Sequence, residues 1–137
     1  MTPEILNSPH EMSECGARFA SQAISGSVFA LIGDLGAGKT HWSKGFIREI
    51  DSNATVSSPT FSIVNEYRDG RLPVFHFDFY RMKSEEELIN LGWDEYLDES
   101  GILICEWANL FPGLMPKDTI WLNISQISET SRELKLI

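Results

Sequence analysis

Residues 27–42 read "SVFALIGDLGAGKTHW", and the order of residue types in this stretch decides the fold. "SVFALI" is a short apolar run rich in strand formers. It passes without a linker into "GDLGAGKT", residues 33–40, which fits G-x-x-x-x-G-K-[ST] at every defined position. Beyond Lys39 the apolar spacing becomes helical, with Trp42, Phe46, Ile47 and Ile50 on one side and Asp51-Ser52-Asn53 as the stop. Strand, glycine loop and helix in this order form a phosphate-binding P-loop.

The residue types follow from the chemistry. Glycines let the backbone come close enough for several N–H groups to face phosphate oxygens, and the following helix adds the positive end of its dipole. Lys39 supplies a mobile charge for the β- and γ-phosphates, and the Thr40 hydroxyl a magnesium ligand. A glycine turn that bound nothing would not require the Lys-Thr pair. Gly33, Asp34, Leu35, Gly36, Ala37, Gly38, Lys39 and Thr40 are therefore the expected nucleotide-binding residues, with ATP and Mg2+ as ligands. The cradle alone does not name a reaction. No N-K-x-D guanine-reading motif is present, and arginines at 18, 48, 68, 71, 81 and 132 make no dense lid of the kind a small-molecule kinase uses. An ATPase is the plain reading.

Phosphoryl transfer also needs an acidic residue at the end of a neighbouring strand, to hold magnesium or orient water. Two compete. In "VFHFDFYR", residues 74–81, strand alternation puts Phe75, Phe77 and Phe79 on one face and His76, Asp78 and Tyr80 on the other. Glu106 follows the apolar "ILIC". Either could be a structural carboxylate, but beside a P-loop Asp78 and Glu106 are candidates for catalysis and for magnesium. Thr60 in "SSPTF" is placed for a switch that closes on magnesium and the γ-phosphate, a bland proline turn being the alternative.

The remaining segments are punctuated clearly. Ser8-Pro9-His10-Glu11 has the form of a capping box, opening a helix to about Ser25-Gly26 with Met12, Cys15, Phe19, Ala23 and Ile24 inward. Two extended segments flank Arg68-Asp69-Gly70-Arg71; "SEEELINLGWDEYL" is a helical patch with Leu88, Leu91 and Trp93 inward; "GILICEW" is a buried strand; and the tail suggests a closing hairpin. With no repeat or long linker, residues 1–137 are expected to form a single domain. The net charge of −9 is the wrong sign for gripping a phosphate backbone, so direct nucleic-acid binding is not expected. Cys15 and Cys105 show no metal or disulfide spacing and read as buried thiols. Neither a membrane span nor a signal peptide is apparent, which predicts a cytoplasmic protein.

"GDLGAGKT", "VSSPTFSIVNEY", "HFDFYR", "EEELINLG" and "ICEW", in this order, resemble the TsaE (YjeE) family, small P-loop ATPases of bacterial tRNA threonylcarbamoyladenosine synthesis. The resemblance spans about residues 10 to 124. It implies an α/β fold of P-loop NTPase type, a three-layer sandwich with a mixed, largely parallel central sheet. It also implies weak ATP hydrolysis that supports turnover of a complex with the partner proteins TsaD and TsaB. Residue by residue, Lys39 and Thr40 carry the phosphate and magnesium roles, Thr60 the switch role and Asp78 and Glu106 the acidic roles, while Trp107 is implied to lie beside the nucleotide. Two other readings use the same cradle: a nucleotide-gated interaction module with incidental hydrolysis, and a small-molecule kinase.

Overall fold

The computed structural model describes residues 2–34, 36–57, 59 and 63–137. Its strands are β1 (Glu4–Leu6), β2 (Val28–Ile32), β3 (Val64–Tyr67), β4 (Val74–Asp78), β5 (Ile102–Glu106), β6 (Ile120–Gln126) and β7 (Arg132–Leu136), and its α-helices are α1 (Pro9–Gln22), α2 (Lys39–Ile50), α3 (Glu85–Leu91) and α4 (Trp93–Asp98). The strands form one seven-stranded sheet in the order β1-β7-β6-β2-β5-β4-β3. Pairing is parallel from β6 through β2 and β5 to β4, and antiparallel at β3–β4, β6–β7 and β1–β7. Only β3 and β7 therefore run against the others. This is the mixed, largely parallel sheet expected, with β2 at its centre and the P-loop leaving its C-terminal end.

Both faces are covered, as a sheet with a parallel centre requires. Alternate residues of β2 and β5 enter two cores. Phe29, Leu31, Ile102 and Ile104 pack with Met12, Cys15, Trp42, Phe46 and Ile47 of α1 and α2. Ala30, Leu103 and Cys105 pack with Phe75, Phe77, Phe79, Leu88 and Trp93 on the α3 and α4 side. The phenylalanine face of β4 is thus core as read, and His76 and Asp78 point to the α1–α2 side. Both cysteines are buried and free; burial, with Glu4 adding to it, pushes the Cys15 thiol up to about 12, and burial raises Cys105 further.

Ser8 caps the helix as expected, while Glu11 reaches back to the residue before the cap and not to Ser8 itself. Ser8 Oγ accepts from the Glu11 N–H at 3.1 Å, and Glu11 Oε1 accepts from the Asn7 N–H at 3.1 Å. The helix it opens stops earlier than its apolar spacing predicts. Arg71 donates to the carbonyls of Ala20 and Ala23 at 2.7 and 3.0 Å, satisfying the helix end, and Ile24 beyond it is 71 % exposed, not inward. The acidic helical patch is two short helices. Gly92, with φ of +109°, ends α3 and starts α4, which turns Trp93 into the core and leaves Leu91 41 % exposed instead of buried. β1 was not expected, since three residues carry too little alternation to read; it is recruited by pairing with β7.

The orientation of α2, and so of the P-loop, depends on its crossing with α1. A Cβ on Gly16 would lie 2.0 Å from the Trp42 carbonyl oxygen, and one on Gly45 would lie 1.8 Å from that of Ser13. The helices touch backbone to backbone there, and Ser13 Oγ also donates to the His41 carbonyl at 3.1 Å. Gly45→Ala is expected to force them apart and to lower unfolding free energy by about 1–3 kcal/mol, the usual cost of overpacking, as read from urea titration.

Candidate active site

The P-loop closes on the N-terminus of α2 through a left-handed residue. Gly38 has φ of +112°, a backbone conformation that favours glycine, and a Cβ there would approach only the flexible end of Met12, Cε at 2.9 Å. From this turn α2 aims its N-terminus, beginning at Lys39 and Thr40, into a cleft of about 320 Å³. The cleft is lined by Gly36, Ala37, Gly38, Lys39, Thr40, His41, Asp78, Glu106 and Trp107. Residues from the loop, from β4 and from the end of β5 thus meet in one place. Gly33 and Asp34 reach it through their carbonyls, whereas Leu35 and Thr60 lie outside the described residues.

Lys39 is the electrostatic centre. Only 5 % of the residue is exposed, and its Nζ donates to the carbonyls of Gly33 and, at 2.9 Å, of Asp34. The Trp107 ring centroid lies 4.2 Å from the same ammonium. Burial lowers the Lys39 pKa, opposed by the charges of Glu106, Asp34 and Asp78. Trp107 takes this position from an unusual backbone: its φ is +62°, its N–H donates to the Leu31 carbonyl at 3.0 Å, and the Tyr80 ring packs against it, tilted by 43° with ring centroids 4.8 Å apart.

The two carboxylates are direct neighbours in the sheet, because Asp78 pairs with Glu106 in the parallel β4–β5 register. Asp78 is half-buried at the strand end. Burial raises its pKa and the Glu106 charge adds to this, while the Tyr80 N–H it accepts at 3.0 Å acts the other way. Glu106 is buried and its Oε2 lies 2.5 Å from Nε2 of the fully buried His76. Met12 of α1 lies against the Gly38 turn, and Arg132 of β7, which had no local signal in the sequence, donates to the Gly36 carbonyl at 3.3 Å. Met12 and Arg132 also line an adjoining cavity of about 430 Å³ with Asn7, Ser8, Gly36, Gly38 and His41.

A family model described as threonylcarbamoyl adenosine biosynthesis protein TsaE matches residues 6–134. The chain belongs to the TsaE family. Among relatives in that family, it is 40 % identical over 126 residues to the tRNA threonylcarbamoyladenosine biosynthesis protein TsaE of Bacillus subtilis, covering 92 % of this chain and 78 % of the relative. It is 33 % identical over 134 residues to the protein of the same name in Rickettsia felis, with 97 % and 78 % covered. The crystal structure of Bacillus subtilis YdiB superposes with a TM-score of 0.83 at 32 % identity, over 98 % of this chain and 83 % of that one. Among the described residues no helix is long and apolar enough to cross a membrane.

The Glu106–His76 contact makes a separable prediction for stability. Glu106→Ala strands a buried imidazole with no partner at either nitrogen, because His76 Nδ1 already has none among the described residues. Urea titration is expected to show a loss of about 1–3 kcal/mol for Glu106→Ala and a smaller loss for Glu106→Gln, which keeps an acceptor oxygen.

Proposed function

We propose that this TsaE-family protein binds and hydrolyses ATP with Mg2+, and that it does so as a subunit serving tRNA threonylcarbamoyladenosine synthesis together with TsaB and TsaD. The observation that carries the proposal is the convergence of the P-loop lysine with Asp78 and Glu106 in one cleft at the C-terminal ends of parallel strands. The tRNA-modification role rests on the family and on the names its relatives bear.

The residues present fit the expected ligands. A phosphate chain suits the α2 N-terminus, the close-approach Gly38 turn and a buried ammonium. The ammonium donates to the Gly33 and Asp34 carbonyls, and phosphate oxygens are stronger acceptors for the same charge. Thr40, Asp78 and Glu106 are all oxygen donors, the chemistry magnesium prefers. Among the described residues no group of three or more His, Cys, Asp or Glu side chains is arranged to hold a metal ion. A magnesium ion here would be bound by a hydroxyl, one or two carboxylates and the substrate's own phosphates. When bound, magnesium neutralises the charge developing on the β- and γ-oxygens.

The chain's own part is positioning. Lys39 and the α2 N-terminus fix the phosphates, Trp107 shields the lysine from solvent on one side, and Asp78 and Glu106 order the attacking water or the cation. The acidic net charge suits a subunit that meets the transferase proteins and not the tRNA.

Lys39→Ala is expected to abolish nucleotide binding in calorimetry. Asp78→Ala and Glu106→Ala are expected to keep binding while phosphate release falls to background; normal release from both would overturn the assignment of the carboxylates. At the level of the pathway, ATP turnover measured with and without purified TsaB and TsaD should rise on their addition. No complex and no stimulation would sink the proposed partnership. Full complementation by a variant that binds ATP and cannot hydrolyse it would favour the nucleotide-gated module.

A further inference from the structure

His76 is a fully buried imidazole in the middle of a strand, on a face whose neighbours Val74 and Ile104 belong to the apolar core. On β4 it shares the α1–α2 face with Val74, one alternation below Asp78, and it pairs in register with Ile104 of β5. Its Nε2 lies 2.5 Å from Glu106 Oε2, and its Nδ1, buried, has no hydrogen-bond partner among the described residues. A structural histidine normally satisfies both nitrogens, so the half-satisfied ring asks what the one contact accomplishes.

We propose that His76 is a positioning residue for Glu106. A carboxylate accepts, so Nε2–H donates to Oε2; in a neutral ring this leaves Nδ1 as the bare nitrogen, a cheaper orphan in an apolar layer than an unpaired N–H. The contact commits Oε2 to the sheet interior. Glu106 then meets the cleft through Oε1, beside Asp78 and the Lys39 ammonium, with its three-bond side chain held in one orientation. A glutamate ordered from beneath can direct a water or a cation; a glutamate free to rotate onto Lys39 would instead pair with the ammonium that the phosphates need. The inference deepens the proposed function and rests on Glu106 belonging to an ATP-hydrolysing site.

The test uses the full chain with His76→Phe, which keeps bulk and removes the donor, and His76→Gln, which returns an N–H at similar reach. His76→Phe leaves the buried Oε2 of Glu106 without its donor, so it is expected to lower the melting temperature modestly and to lose about 10- to 100-fold in kcat for ATP, the usual range for residues that orient a ligand side chain, with KM and ADP affinity unchanged. His76→Gln is expected to recover most of the rate. In the apoprotein, long-range 15N–1H spectra should assign to His76 the Nε2–H tautomer, identified by its loss in His76→Phe, and the signal should shift in Glu106→Gln. The inference is overturned if His76→Phe turns over normally, if His76→Gln, folded as stably as the parent, recovers none of the rate, or if the ring carries its proton on Nδ1. A parent protein that hydrolyses no ATP would overturn the functional reading instead, and the tautomer with its dependence on Glu106 would still decide whether His76 holds that carboxylate.

Discussion

Lys39 brings an ammonium to a position where only 5 % of the residue meets solvent, and a cation so far out of water must be supplied with oxygen acceptors and countercharge. The surroundings of the P-loop answer that demand. The Gly33 and Asp34 carbonyls accept its protons, the face of Trp107 lies against it, and the charges of Glu106, Asp34 and Asp78 oppose the effect of burial. None of these partners can shift far without leaving the charge uncompensated. The lysine therefore ties together three otherwise separate parts of the chain: the glycine loop, the end of β4 and the end of β5.

That tie works because the scaffold beneath it is stiff. On one face of the sheet Phe19, Phe29, Trp42 and Phe46 form a continuous set of ring contacts, and on the other Phe77, Phe79, Trp93 and Tyr96 do the same. The first set sets the depth of α2, helped by the glycine crossing with α1. The second anchors β4, whose opposite face presents His76 and Asp78. Strand alternation thus converts a pattern of phenylalanines into a direction for two polar side chains, one buried beneath the site and one at its rim.

Most of the site was legible because its parts are local. "GDLGAGKT" carries its own conformation and chemistry within eight positions, and the alternation of "VFHFDFYR" tells which residues share the core face. Errors fell where termination was decided from outside. α1 ends at Gln22 because Arg71, far along the chain, satisfies its last carbonyls, and the α3–α4 break depends on Gly92 adopting positive φ, so Ile24 and Leu91 turn outward. β1 exists only as a partner of β7.

The sequence by itself determined the strand–loop–helix cradle, the identity of its lysine and the family to which the chain belongs, because those depend on residue types at short fixed spacings. Only the tertiary structure decided how the two candidate carboxylates stand to that lysine and to each other, and how they are held. Asp78 and Glu106 are neighbours through the β4–β5 register, and His76 reaches Glu106 across two strands that are 30 residues apart in the chain. Register and burial arise from packing over the whole sheet, so no local pattern could specify that a histidine beneath the cleft would face one carboxylate and leave its second nitrogen alone.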